Sequence, residues 1–299
     1  GPENSFPARH AASCMDRKGL RKLPFSFCRP VPPAWSASFH HYALFPKSKP
    51  EPEFLPIRTS FSSRLNPVFF YMISSLSSPR EADYVFLDLD GTLTDPSKGI
   101  TRGVMYALER FHIHEDHPKK LFSFIGPPLY DSFMQQYGFD LATAHKAIAY
   151  FQEYYAEQGM YENVPYPGIR ELLHVWKNEG RRLILATSKP EVFAVRILER
   201  FGMADAFTLM AGGDVAETRV EKPLVIAYAM NRLGLTGKER CLMIGDRRFD
   251  VTGAAAHDIP TLGVLYGFGT REELSEAGAR WLAADVQELA SLMQRDGQI

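Results

Sequence analysis

The chain is poor in cysteine, in net charge and in long apolar runs, and each shortage excludes a class of protein. Its three cysteines, Cys14, Cys28 and Cys241, include no CxxC pair, so no disulfide framework is expected and a reducing, cytoplasmic setting is favoured. A formal net charge of −1 gives no overall field to attract nucleic acid or a membrane surface. A membrane-spanning helix needs roughly 18 apolar residues, and the nearest candidate, residues 67–76, is too short.

The first 71 residues differ from the rest in composition. They contain eleven of the 21 prolines, and ten Lys or Arg against four Asp or Glu, with no lasting periodicity. Three interpretations apply: an arginine-rich targeting peptide, a disordered tail that contacts partners, or sequence foreign to the natural protein. We favour the last, with translation starting at Met72, and in each case residues 1–71 stay outside the fold as a disordered or non-native extension.

Beyond this stretch, apolar runs alternate with helical periods. The predicted strands are residues 84–89, 183–186, 207–211, 241–244 and 261–264. The predicted helices are residues 168–179, 191–201, 223–233 and 251–257. Continuous apolar strands linked by helices indicate an α/β fold: a Rossmann-like parallel sheet with helices on both faces. Ligands bind such sheets beyond the carboxyl ends of the strands.

The segment between the first two predicted strands is too long for one crossover. It is rich in helical periods, which predicts a small all-helical domain, residues 99–165, inserted into a core of residues 82–98 and 166–299. One of its helices is expected to begin at Thr101 as N-cap. Another presents Phe151 and Tyr155 at helical spacing, which is typical of a buried face.

Two aspartates close the first predicted strand in the stretch DLDGT. Alternate strand residues share a face, so Asp88 and Asp90 can both point into one site. Gly91 permits a sharp turn directly after them, and Thr92 follows. Two like charges at the end of a buried strand repel each other unless a positive group lies between them.

Polar groups also follow three later strands. Thr187 and Ser188 end the second strand, and Lys222 opens the helix after the third. Asp246 ends the fourth strand, with Asp250 four residues later. Carboxylate oxygens favour Mg²⁺, and the lysine and hydroxyl groups suit a phosphate dianion.

Each group taken alone also has a structural interpretation. Asp-Gly is a common turn, Thr187 and Ser188 can cap the next helix, Lys222 can be a surface charge and Asp246 can cap a helix. Four strand ends, in order, each offer a group that phosphoryl chemistry needs. This coincidence favours a Mg²⁺–phosphate site.

These motifs, over about residues 83–295, resemble the haloacid dehalogenase-like (HAD) superfamily of phosphohydrolases. DLDGTLTD is similar to its first motif, Thr187 to the second, Lys222 to the third and GDRRFD to the fourth. The stretches FIGPPLYDSF, ATSKPEVFA and GVLYGFG resemble the phosphoglycolate phosphatase-like members, especially those described as 5′-nucleotidases. The resemblance implies that the helical insertion is a cap over the active site.

The resemblance also implies roles for the site residues. Asp88 would be the nucleophile that forms an aspartyl-phosphate, and Asp90 the general acid and then base. Thr187 and Lys222 would bind and neutralise the phosphoryl oxygens. Substrate contacts are expected from Gly91, Thr92 and Ser188. Mg²⁺ would be bound by Asp88, the backbone carbonyl of Asp90, and Asp246, with Asp250 orienting these ligands.

The same resemblance narrows the reaction. Asp90 argues against the dehalogenases and phosphonatases of the family, which lack this aspartate. A Mg²⁺-dependent phosphatase acting on a small phosphorylated metabolite is the expectation, with no nucleic-acid or membrane partner. Two alternatives stay open: a phosphosugar mutase of the same fold, and a phosphotyrosine-directed kinase or regulatory protein that uses the basic N-terminal stretch as a docking segment. Neither the substrate nor the oligomeric state follows from the residues.

Overall fold

The computed structural model describes residues 76–214, 218–237 and 239–295. Residues 1–71 and Met72, on which the extension was predicted, lie outside these ranges. Within the described ranges the strands are β1 (Tyr84–Leu87), β2 (Thr94–Asp95), β3 (Val164–Pro165), β4 (Arg182–Pro190), β5 (Phe207–Gly213), β6 (Cys241–Gly245), β7 (Thr261–Val264) and β8 (Trp281–Ala283). The α-helices there are α1 (Ser97–Glu109), α2 (Leu129–Tyr137), α3 (Leu141–Glu157), α4 (Ile169–Asn178), α5 (Glu191–Arg200), α6 (Lys222–Leu233), α7 (Arg248–Ala255), α8 (Arg271–Ala277) and α9 (Val286–Met293).

In this part of the chain, six strands form one parallel sheet in the order β5-β4-β1-β6-β7-β8. Leu87 of β1 pairs with Leu185 on one side and with Ile244 on the other. The strand order therefore reverses at β1, and the crevice beyond its carboxyl end is where such sheets bind ligands. The predicted α/β class with a Rossmann-like sheet is confirmed.

Both faces of β1 are apolar and buried. Val85 and Leu87 belong to the larger of two apolar clusters, while Phe86 belongs to the second. This alternation follows from the two-residue period of a strand, so helices must cover both faces of the sheet. Cys241 is also buried, at the start of β6.

Three helices form a layer on the larger cluster. The chain leaves the sheet through β2 and returns through β3, which pair antiparallel, and α1, α2 and α3 lie between them. Helix α1 approaches α3 closely at Gly103, where a Cβ atom would lie 2.8 Å from the Phe151 ring. Val104, Phe151 and Tyr155 are buried in this layer.

Some predicted boundaries were wrong. Strand β1 ends at Leu87, two residues early, because the chain turns at Asp88–Asp90 toward the site. Helix α7 begins at Arg248 rather than at residue 251. Helix α1 begins at Ser97, so Thr101 is not its N-cap. The Thr101 hydroxyl instead donates to the Ser97 carbonyl oxygen at 2.7 Å, one helical turn back.

The carboxyl-terminal elements β8, α8 and α9 were not predicted. Both helices carry sequence signals at their starts. Thr270 caps α8 by accepting a hydrogen bond from the Glu273 amide, and Asp285 caps α9 in the same way from the Glu288 amide. Among the described residues, none of the helices has the length and apolar character needed to span a bilayer.

Candidate active site

The turn after β1 brings Asp88 and Asp90 to the carboxyl edge of the sheet. The Asp88 amide donates to the Ile244 carbonyl at 3.0 Å, and Asp90 bridges to Thr94. Gly91 turns the chain with a φ of 87°, a conformation that side chains disfavour. A Cβ atom at Gly91 would also lie 2.2 Å from a carboxylate oxygen of Asp246. This turn therefore requires glycine for two independent reasons.

Lys222 connects the strand ends. It is the first residue of α6 and is 4% exposed, so the surface-charge interpretation does not apply. Its Nζ lies 2.8 Å from Oδ1 of Asp88 and 2.7 Å from Oδ1 of Asp250, and it donates to the Ala186 carbonyl at 3.0 Å. Burial alone would lower the pKa of Lys222, but Asp250 and Asp88 raise it above its usual value. The lysine is therefore a permanent cation between two carboxylates.

Asp246 and Asp250 are fully buried beside it. Asp246 accepts hydrogen bonds from the Phe268 amide at 2.8 Å and from the Thr92 hydroxyl at 3.2 Å. Oδ2 of Asp250 accepts from the Arg247 amide at 3.0 Å, which satisfies the first turn of α7. Asp250, not Asp246, thus completes the start of this helix, and Asp246 faces the site.

The electrostatics of these carboxyl groups favour a cation. Oxygen atoms of Asp88, Asp246 and Asp250 all lie within 4.8 Å of one another. Burial, then Asp250 and Asp88, raises the pKa of Asp246 well above its usual value, and burial raises the pKa of Asp250 to about 6. Since crowded carboxylates raise each other's pKa unless a positive group lies between them, this oxygen cluster fits a hard divalent cation such as Mg²⁺.

The two hydroxyl residues lie in the extended end of β4. Thr187 is buried, and its hydroxyl oxygen accepts from the Lys189 amide at 3.3 Å, while Ser188 is half-buried. Helix α5 has Pro190 at its N-cap position and no side-chain cap bond. The capping interpretation of Thr187 and Ser188 therefore does not apply.

The hydroxyl group and the carbonyl oxygen of Thr92 are both hydrogen-bonded to other residues of the protein. Its hydroxyl donates to Asp246, and its carbonyl oxygen accepts from the Tyr266 hydroxyl at 3.1 Å. Its contacts within the described residues orient Asp246 and the turn. Direct contacts or oxygen distances join four of the predicted residues, Asp88, Lys222, Asp246 and Asp250, whereas Thr187 and Ser188 lie at the end of the neighbouring strand β4.

Two side chains of this site were not predicted. Lys189 is 9% exposed at the end of β4, and its Nζ contacts Oδ2 of Asp90. It also lies 4.8 Å from the centre of the Tyr155 ring, which comes from α3. Lys189 alternates with Thr187 along β4, and this spacing was the available signal in the sequence. The contact with Tyr155 had no signal, because helical periodicity only marks that residue as buried.

Comparisons with known proteins agree with this geometry. Residues 85–264 match the family model described as haloacid dehalogenase-like hydrolase. A 5′-nucleotidase of Pseudomonas aeruginosa is 42% identical over 210 residues, which cover 70% of this chain and 95% of the relative. A phosphoglycolate phosphatase of Colwellia psychrerythraea is 28% identical, covering 72% and 99%.

Two further likenesses bear on function. A protein of Mycobacterium tuberculosis named tyrosine-protein kinase PtkA is 35% identical over 216 residues, covering 71% of this chain and 73% of the relative. The crystal structure of a predicted phosphatase from Clostridium acetobutylicum superposes with a TM-score of 0.68 at 45% identity, covering 70% and 97%.

The four strand ends and these likenesses define an α/β phosphohydrolase. The chain belongs to the haloacid dehalogenase-like hydrolase family. Its enzyme class is phosphoric monoester hydrolase, as the sequence predicted.

Proposed function

We propose that the protein is a Mg²⁺-dependent phosphatase that hydrolyses a small phosphomonoester through an aspartyl-phosphate on Asp88. The substrate would be of the phosphoglycolate or nucleoside 5′-monophosphate class, which the names of two relatives support. One observation carries the proposal: Lys222 bridges Asp88 and Asp250 in a buried site where Asp246 supplies a third carboxylate.

In the first step, an oxygen of Asp88 attacks phosphorus, and the bond from phosphorus to the substrate oxygen breaks. Asp90 gives its proton to that leaving oxygen, so the alcohol departs neutral. Burial raises the pKa of Asp90 despite the neighbouring Lys189, which suits a group that must carry a proton. Lys222 and the Thr187 hydroxyl neutralise the charge on the phosphoryl oxygens.

In the second step, Asp90 accepts a proton from water, and the water oxygen attacks phosphorus. The bond between phosphorus and Asp88 then breaks, which releases inorganic phosphate and restores both carboxyl groups. Covalent catalysis thus divides one difficult displacement into two, and acid–base help typically contributes about 10²–10⁴-fold.

The cation would be held by Asp88, the backbone carbonyl of Asp90, and Asp246. When bound, it supplies positive charge that favours the ionised nucleophile and the phosphoryl oxygens. Asp250 would orient this set through Lys222 and the Arg247 amide.

Residues 99–165 would act as a cap domain over a core of residues 82–98 and 166–299. The antiparallel pair of β2 with β3 supports this division, because it joins the two connections at one place. The layer of α1, α2 and α3 shares an apolar cluster with the sheet, and Asp88 and Asp90 are both at least nine-tenths buried, which supports a cap that closes over the site. A covered site suits a small metabolite and excludes water from the reaction.

Phosphate release by the full chain tests the proposal. A panel that includes phosphoglycolate and nucleoside 5′-monophosphates, assayed with Mg²⁺, should contain at least one substrate. EDTA should abolish its turnover. If wild-type protein released no phosphate from any member with Mg²⁺ present, the proposed function would be wrong. If a bisphosphorylated sugar stimulated the conversion of a sugar phosphate into its isomer, without net phosphate release, the result would instead favour the mutase.

A second candidate is phosphotransfer to protein tyrosine, which the likeness to the protein named tyrosine-protein kinase PtkA favours. The same full chain, incubated with labelled ATP and a tyrosine-containing protein, separates the two candidates. Stable label on tyrosine, lost in Asp88→Asn, would support the kinase. Label recovered only as inorganic phosphate supports the phosphatase.

A further inference from the structure

Lys189 links the proposed general acid to the helical layer. Its ammonium group contacts Oδ2 of Asp90 on one side and lies over the Tyr155 ring on the other. We call Lys189, Asp90 and Tyr155 the strand-end triad. Each member is at least nine-tenths buried, so water screens their interactions little.

The two oxygens of Asp90 have different surroundings. Oδ2 is bound by Lys189, whereas Oδ1 is buried without a hydrogen-bond partner among the described residues. An unpaired buried carboxylate oxygen is costly, and in binding sites such an atom awaits a ligand. The lysine therefore fixes the rotation of the carboxyl group, and Oδ1 is the oxygen that remains to exchange a proton.

Tyr155 fixes the lysine in turn. The centroid of its ring lies 5.1 Å from the ring centroid of Phe151 in α3 and 5.6 Å from that of Phe193 in α5. A cation over a buried aromatic ring is attracted electrostatically by the face of that ring. Because Tyr155 belongs to the helical layer and Asp90 to the sheet edge, Lys189 joins the layer to the proposed general acid.

We propose that Lys189, held by Tyr155, is a positioning residue that orients Asp90 so that its Oδ1 exchanges the proton with the leaving oxygen. This inference rests on the proposed function. It implies that closure of the helical layer and alignment of the general acid are one event. An open enzyme would lack an oriented acid, so substrate is committed before bond cleavage begins.

A purely structural lysine makes a different prediction, and the leaving group separates the two roles. An alkoxide leaving group needs a proton as the bond to phosphorus breaks, whereas p-nitrophenolate leaves without one. Loss of acid alignment should therefore harm an alkyl phosphate far more than p-nitrophenyl phosphate. Loss of packing alone would lower kcat/KM for both substrates equally.

The experiment compares kcat/KM of Lys189→Met, Lys189→Arg and Tyr155→Leu on p-nitrophenyl phosphate and on the best alkyl phosphate of the panel. We expect Lys189→Met to lose about 10²-fold on the alkyl phosphate and about tenfold or less on the aryl one. Lys189→Arg should recover much of the kcat/KM lost on the alkyl phosphate, because arginine keeps the positive charge. Tyr155→Leu should show the same selective loss to a smaller extent.

A matched control exists in the helical layer. Lys120 contacts Glu115 at 3.1 Å and lies 4.5 Å from the centre of the Tyr137 ring, which we call the peripheral triad. Lys120→Met should leave both activities within about twofold. Circular dichroism melts establish which variants fold, and if Lys189→Met does not, Lys189→Arg and Tyr155→Leu decide.

Equal losses on the two phosphates in folded Lys189→Met or Tyr155→Leu, or no loss in either variant, would overturn the positioning role while the phosphatase stands. A wild-type protein without turnover on either phosphate would overturn both.

Discussion

The strand-end triad and the peripheral triad contain the same chemical groups, but the pKa of the carboxyl group is raised in the first and lowered in the second. Burial raises the pKa of Asp90 although Lys189 touches it. In the peripheral triad, the Tyr137 hydroxyl and the Lys120 ammonium donate to Glu115 at 2.8 and 3.1 Å and lower its pKa to about 2. Glu115 accepts hydrogen bonds from two side chains and one backbone amide, whereas Asp90 accepts only from Lys189 among the described residues, so the donors around a carboxyl group matter as much as its burial.

This difference explains how one chain can use carboxylates both as proton carriers and as fixed anions. Where water is excluded, the charged form of a carboxyl group is penalised, and a neighbouring lysine only partly offsets that penalty. Where several donors bind the carboxylate, hydrogen bonds to the charged form dominate. A site for acid–base chemistry therefore needs the covering layer as much as it needs the aspartates.

The largest expected effect comes from removing the proposed nucleophile, Asp88, at the sheet edge. Asp88→Asn should lower kcat on the order of 10⁴-fold or more, as loss of a nucleophile does in other enzymes, because the amide cannot attack phosphorus. Steady-state phosphate release measures it, and circular dichroism checks the fold. Glu115→Gln, which makes the same carboxylate-to-amide change in the peripheral triad, should keep full activity. Turnover of Asp88→Asn near the wild-type rate would refute the assigned nucleophile.

Removing a lysine should lower the free energy of unfolding much more at the buried sheet edge than in the peripheral triad. Lys222→Met leaves Asp88 and Asp250 buried without their cation, which is expected to cost about 3–5 kcal/mol of unfolding free energy. Lys120→Met removes a pair whose lysine is exposed and should cost about 1 kcal/mol or less. Urea unfolding without metal measures both. Similar losses in the two variants would contradict the contrast between buried and exposed charge.

Much of the sheet could be predicted because its signals are local. Runs such as Tyr84–Leu87 are apolar on both faces, and this pattern is typical of a parallel strand covered by helices on both sides. The strand ends could be predicted for the same reason, since parallel strands bring their carboxyl ends to one edge. Thr101 was misplaced because hydroxyl residues occur both as caps and inside helices, where they bond one turn back.

The contacts between layers could not be predicted. Tyr155 has the spacing of a core residue, and it is one, but only the packing of α3 against the strand ends sets it beside Lys189. The capping bonds of Thr270 and Asp285 were legible in the sequence, and the short strand β8 was not, since three residues carry no period. Long-range placement depends on the whole fold, whereas periodicity reports only local burial.

The next largest expected effect is the stabilisation of the fold by Mg²⁺ at the sheet edge. Mg²⁺ at about 100 times its dissociation constant should stabilise the wild-type protein by about 2.7 kcal/mol, because it offsets repulsion among Asp88, Asp246 and Asp250. Melting temperatures with and without the ion measure this. Asp246→Asn should lose most of the response, and Glu115→Gln should keep it. An equal response in all three proteins would argue against a site on these carboxylates.

The smallest effect concerns acid stability of the peripheral triad. The pKa of Glu115 falls from 4.5 to about 2 on folding, so its ionised form stabilises the fold above pH 4.5. That contribution is lost as the pH falls through 4.5 toward 2. Wild type should therefore be more stable than Glu115→Gln at neutral pH, and the difference should shrink across this range. Tyr137→Phe, which removes the donor with the largest influence, should show part of the same trend. Urea midpoints at successive pH values measure it, and a difference that stays constant down to the lowest pH would refute the assignment.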